Sequence, residues 1–82
     1  MHNKKKKILL DLDGVLNTYS GDYNAKYIPP IKDGAVEFLQ KLSKEFEVKI
    51  FTVRNIELAK QWIDENNLSI YISGVTNSKE PA

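Results

Sequence analysis

The sequence predicts an α/β fold in which a short parallel three-stranded sheet is connected by two helices, the opening of a doubly wound arrangement. Three observations predict it. Apolar runs of strand length recur near residues 8, 48 and 70, two segments between them carry apolar residues at three- and four-residue spacing, and a turn-rich stretch separates the first run from the first helix.

Ile8 to Leu12 is an apolar run bounded by lysines and a glycine, which predicts a strand buried on both faces, as in a parallel sheet. Residues 14–30 contain Gly21, Asp22, Asn24, Pro29 and Pro30, so they read as a loop with a small hairpin near its aromatic residues. Asp33 is read as the cap of a helix in which Ala35, Phe38, Leu39, Leu42 and Phe46 form one apolar stripe. Glu47 to Val53 follows as strand two, rich in β-branched and aromatic residues. The second helix spans Ile56 to Asn66, with Ile56, Ala59, Trp62 and Ile63 on one side, Trp62 in the core, and Asn66-Asn67 suited to a left-handed stop. A third strand is expected around Ile70 to Ile72, with loop from Thr76 to Ala82.

A chain of 82 residues holds one domain, and at this size a fold buries only a little over ~60% of its unfolded surface, so the core is marginal and a partner or a missing piece is expected. Hydrophobic content of 41%, charged content of 28% and a formal charge of +1 fit an ordinary globular domain and provide no field to attract nucleic acid or an anionic membrane. The run Lys4 to Lys7 reads as a solvated lead-in, residues 1–7, to the first strand. The absence of cysteine excludes a disulfide framework, a thiolate zinc site and a cysteine nucleophile. Asp11 ends the first apolar run too early for a signal peptide or a membrane span, so a cytoplasmic location is expected.

In parallel α/β sheets, ligands sit beyond the carboxyl ends of the strands. Asp11 and Asp13 close strand one, Thr52 closes strand two and Lys79 follows strand three, so four polar groups are expected at one sheet edge. Residues two apart on an extended chain project the same way, so the two carboxylates would stand side by side and repel unless a cation lies between them. Oxygen-only ligation favours Mg2+, and Gly14 would let the backbone turn closely around a bound anion.

The segment Ile8-Leu9-Leu10-Asp11-Leu12-Asp13-Gly14-Val15-Leu16 resembles motif one of the haloacid dehalogenase (HAD) superfamily, a hydrophobic strand running into Asp-x-Asp-Gly. The resemblance implies a Rossmann-like, HAD-type core and a phosphohydrolase of small phosphate monoesters, such as a sugar phosphate or nucleotide. It implies that Asp11 attacks phosphorus to form an aspartyl-phosphate, that Asp13 protonates the leaving oxygen and later activates water, and that both serve a magnesium site. Thr52 resembles the hydroxyl donor of motif two. Lys79, in Thr76-Asn77-Ser78-Lys79-Glu80-Pro81-Ala82, resembles the lysine of motif three. Thr52, Lys79 and Gly14 would then bind the substrate phosphate.

The acidic pair of motif four has no counterpart, since only Glu80 follows Lys79 and it lies in the loop, unassigned. Strand one would also lack its neighbour on one side and form an exposed edge. A truncated form of a longer phosphatase is the favoured explanation, beside a homodimer through the strand-one edge and a degenerate member. The interval before the first helix is too short for an inserted helical cap, so the core is expected to be open. Tyr19, Tyr23 and Tyr27 would form a flap, stack on substrate or pack locally, and Arg54 and Asn55 would meet substrate or open a helix with Asn55 as its cap. A noncatalytic phosphate- or metal-binding interaction module is the alternative from a different class. A response-regulator receiver is disfavoured by order, because Ser73-Gly74 stands where its phosphoacceptor belongs.

Overall fold

A computed structural model describes residues 5–21 and 23–78. Its elements in chain order are β1 (Lys6–Asp11), α1 (Ala35–Glu45), β2 (Phe46–Phe51), α2 (Ile56–Glu65) and β3 (Gly74–Thr76). The strands form one parallel sheet in the order β1-β2-β3, so β1 lies at an edge among the described residues. No helix of the described residues is long and apolar enough to cross a membrane.

Register decides which residues share a face. Ile8 pairs with Val48, Leu10 with Ile50, and Ile50 with Val75. All five belong to or pack against the same core, which takes Ala35 and Leu39 from α1 and Ala59, Trp62 and Ile63 from α2. Both helices therefore cover one face of the sheet. This corrects the expectation that β1 is buried on both sides: Lys7, Leu9 and Asp11 point away from the core and are exposed, whereas Ile8 and Leu10 are half-buried. The alternation of period two along a strand, with a layer on one side only, produces that pattern.

Helix α1 starts differently from the sequence expectation. Gly34, at φ 85°, occupies the N-cap position without a side-chain cap, and the Ala35 amide donates to the Lys32 carbonyl. Asp33 precedes the cap because the chain enters through a left-handed turn, which glycine adopts without a Cβ penalty. At the other end Phe46 is extended and already opens β2, its amide closing on the Leu42 carbonyl, so the helix passes into the strand with no intervening loop. Phe38, expected on the buried stripe, is exposed; Ala35 and Leu39 carry the burial.

Helix α2 agrees more closely. The Asn55 side chain caps it by accepting from the Leu58 amide, Trp62 is buried, and Asn67 turns left-handed at φ 59° beyond the end. The third strand is displaced. Ser69–Tyr71 form a 3-10 turn and β3 begins at Gly74, because fully buried Leu68 anchors the chain where it leaves α2 and the Tyr71 amide bonds back to the Leu68 carbonyl. Pairing starts at Ser73, whose amide and hydroxyl both donate to the Val48 carbonyl, at 2.7 and 3.0 Å. Ile70, in the middle of the run read as strand, is 80% exposed.

Candidate functional site

The carboxyl end of the sheet is defined by one register row, Asp11 beside Phe51 beside Thr76. Just beyond it the chain turns three times, after β1 at Asp13, after β2 at Val53-Arg54 and after β3 at Asn77. Cross-links hold these turns together: the Leu12 amide donates to the Phe51 carbonyl and the Thr52 amide to the Thr76 carbonyl.

Leu12 and Leu16, both fully buried, root the segment that carries Asp13 and Gly14, and the Leu16 amide closes one helical turn onto the Leu12 carbonyl. Gly14 lies at φ 82°, where a side chain would be strained although a Cβ would meet no atom within 4 Å. Its amide donates to Asn17 Oδ1 at 3.0 Å, and its carbonyl faces Lys32 Nζ at 3.4 Å.

The two aspartates are differently placed. Asp11 is exposed at the strand end, and among the described residues its carboxylate has no hydrogen-bond or ion-pair partner. Asp13 is half-buried and its carboxylate is engaged. Oδ1 accepts from Asn17 Nδ2 at 3.0 Å, and Arg54 Nε donates to Oδ1 at 3.1 Å and Oδ2 at 3.0 Å. Arg54 Nη2 also lies 3.0 Å from Oδ1, within ion-pair reach. It points off the hydrogen-bond direction, so this atom contributes charge attraction, and among the described residues its N–H groups have no acceptor.

Arg54 is the centre of the arrangement. Its side chain is fully buried, and burying a guanidinium is costly unless its charge is paired and its donors are largely bonded. Asp13 answers the charge. Nη1 donates to the carbonyls of Asn24 at 2.7 Å and Tyr27 at 3.1 Å, and the Tyr23 ring lies 4.7 Å from Cζ. Three segments thus meet on one side chain: the motif after β1, the loop before α1 and the turn after β2.

Thr52 is buried, and its Oγ1 accepts from the Arg54 amide at 3.0 Å, which leaves its hydroxyl proton to donate elsewhere. Asn77 staples this turn from β3, its Nδ2 donating to the carbonyls of Thr52 at 2.6 Å and Arg54 at 3.0 Å. The loop expected to carry a hairpin is closed at its base by an antiparallel bridge between Asn17 and Ile31, with the Thr18 amide on the Pro30 carbonyl. Tyr27 is exposed, Tyr19 is half-buried and Tyr23 lies against Arg54. Lys79 and Glu80 lie outside the described residues.

The structure therefore brings Asp11, Asp13, Gly14 and Thr52 to one end of the sheet, and adds Asn17 and Asn77, to which the sequence alone assigns no role, and Arg54, read there as a substrate contact or a helix start and not as the partner of Asp13. Arg54 and Asn77 lie two residues after Thr52 and one after Thr76, at the same end of the sheet as the motif, and that proximity was the available signal. Among the described residues, no three His, Cys, Asp or Glu side chains cluster to hold a metal ion. For Mg2+, the exposed Asp11 carboxylate is a suitable hard donor, whereas the Asp13 carboxylate is taken by Arg54 and Asn17, leaving its backbone carbonyl as the second oxygen. No family model matches the chain, and neither a curated protein nor a solved structure matches it.

Proposed function

We propose that the chain is a HAD-type phosphohydrolase acting on a small phosphate monoester through an aspartyl-phosphate on Asp11. The observation that carries this reading is the contrast between the two carboxylates: Asp11 stands exposed at the carboxyl end of β1 with its oxygens uncommitted among the described residues, while Asp13, two residues on, is held in a fixed orientation. A nucleophile needs access and an acid–base group needs placement.

In the proposed reaction, an Asp11 oxygen attacks phosphorus as the bond to the leaving oxygen breaks, and Asp13, which must enter this step protonated and so with one oxygen released from its pairing with Arg54, delivers the proton that oxygen requires. Water then attacks the phosphorus of the aspartyl-phosphate, gives its proton to Asp13 and releases phosphate, restoring the Asp11 carboxylate. Thr52 Oγ1 donates to a phosphoryl oxygen, since its acceptor capacity already serves the Arg54 amide. Mg2+, held by Asp11 and the Asp13 carbonyl, would offset the negative charge gathered at the phosphoryl group.

The test is Mg2+-dependent hydrolysis of an aryl phosphate by the wild-type chain and by Asp11→Asn. Loss of turnover in Asp11→Asn is the expected result, and equal turnover in both proteins overturns the reading. The engagement of Asp13 by Arg54 and Asn17 favours a second reading, a noncatalytic phosphate- or metal-binding interaction module that keeps the fold. That reading predicts saturable binding of inorganic phosphate or Mg2+ with no turnover.

A further inference from the structure

We propose that Arg54 is a positioning residue that couples the loop residues 23–30 to Asp13, so that this stretch closes over the carboxyl end of the sheet only when the Asp13 carboxylate is in place. This rests on the phosphohydrolase reading for its consequence in turnover, but the coupling itself stands on geometry.

A guanidinium with its side chain fully buried has few stable positions, and here each edge faces a different segment. The Nε edge faces both oxygens of Asp13, Nη1 faces the loop carbonyls of Asn24 and Tyr27, and the flat face lies under the Tyr23 ring. The backbone of Arg54 is itself fixed, its amide on Thr52 Oγ1 and its carbonyl on Asn77 Nδ2. With the backbone held, the same guanidinium that meets the loop carbonyls through Nη1 meets Asp13 through Nε.

Removing the Asp13 charge would leave the guanidinium without its counter-ion, and the cheapest relief is for the side chain to swing toward water, which releases Asn24 and Tyr27. Conversely, an open loop admits water to the guanidinium and weakens its hold on Asp13. The two events are one equilibrium seen from either end. A purely structural ion pair would stabilise the whole fold without singling out this loop.

Lys26 lies exposed between the two carbonyls that Arg54 binds, so tryptic cleavage after Lys26 in the intact chain reports loop opening. Arg54→Gln and Asp13→Asn are each expected to accelerate that cleavage about tenfold, and the double variant no further than the faster single, because both break one linkage. Val48→Ala, which weakens the core within β2 three residues before its carboxyl end, controls for global unfolding at a matched denaturation midpoint. Should Arg54→Gln fail to fold, Tyr23→Ala and Asp13→Asn carry the test.

Cleavage of Asp13→Asn at the wild-type rate, or additive effects of the two substitutions, overturns the coupling. With an aryl phosphate, Arg54→Lys, which keeps the charge but loses the fork, is expected to lower kcat by about tenfold or more with KM within about twofold. Equal loss in KM and kcat overturns the positioning role. If the wild type shows no turnover while the shared cleavage response appears, the phosphohydrolase reading fails and the coupling stands. Turnover without the shared response overturns the coupling and leaves the phosphohydrolase reading in place.

Discussion

Asn17 binds Asp13 through one end of its amide and the backbone through the other: Nδ2 donates to Asp13 Oδ1 at 3.0 Å, while Oδ1 accepts the amides of Gly14 and Tyr19, each at 3.0 Å. The residue is 1% exposed, so the Asn17 amide itself has no water as an alternative. Asn17 also forms the bridge to Ile31 that closes the base of the loop. One residue thereby sets the turn after β1 and the orientation of Asp13.

Asn17→Ala removes three part-buried hydrogen bonds, those from the Gly14 and Tyr19 amides and the one to Asp13, which predicts a loss of about 2 kcal/mol at the usual net contribution of each. Asn17→Asp is expected to be worse despite its matching shape, because it keeps the acceptor but replaces the donor with a second carboxylate against Asp13. Urea denaturation midpoints check both, and an Asn17→Asp chain as stable as wild type would contradict the arrangement.

At Thr52, hydroxyl and methyl have separable roles. Thr52→Ser keeps the acceptor for the Arg54 amide and the proton for a phosphoryl oxygen, so turnover near wild type is expected. Thr52→Val keeps shape and loses both, with a stability cost of about 1 kcal/mol and a fall in kcat of roughly a hundredfold, typical of a lost transition-state donor. Steady-state kinetics on an aryl phosphate distinguishes the two, and equal kcat in Ser and Val variants would remove Thr52 from the site.

What was legible in the sequence was whatever local pattern decides. Asn55 caps the helix that Ile56, Ala59, Trp62 and Ile63 outline, and Asn67 takes the left-handed conformation past its end, because cap and stripe lie within one helix. The Ile70 to Ile72 run misleads because a short apolar β-branched stretch fits a strand or a packed turn equally well, and the choice is made by Leu68, which is buried at the end of α2. Asp11 and Thr52 are placed at the strand ends by strand chemistry alone. Asn17 and Arg54 are not, since their roles depend on a shared partner, Asp13, that lies 4 residues from one and 41 from the other. Nothing local marks an arginine after a strand as buried.

Gly34 offers a test of backbone conformation alone. A Cβ there would meet no atom within 4 Å, but φ is 85°, so Gly34→Ala is expected to cost about 1–2 kcal/mol through strain without any clash. Gly34→Asn should cost less, because asparagine tolerates the left-handed region better. Thermal melts of the three proteins check the order Gly, Asn, Ala; Ala equal to Gly would mean that α1 does not begin through this turn.

Arg54 and Asp13 also make a prediction about stability that is separate from loop opening. Taking away one partner of a buried ion pair costs about 3–5 kcal/mol, chiefly because the other charge is left without an answer. Arg54 is the more buried partner, its side chain fully covered against 19% exposure for that of Asp13. Asp13→Ala, which strands the guanidinium, should therefore be more damaging than Arg54→Met, which strands a carboxylate that water and Asn17 still reach. An 82-residue domain holds roughly 4–12 kcal/mol in all, so Asp13→Ala alone is expected to remove a large part of it. The double substitution Asp13→Ala with Arg54→Met removes both charges and is expected to recover part of the loss, giving a coupling of at least about 1 kcal/mol in a double-mutant cycle. Additive losses in urea denaturation would show that the pair contributes through separate contacts, and that the charge of Asp13 is not what keeps Arg54 inside.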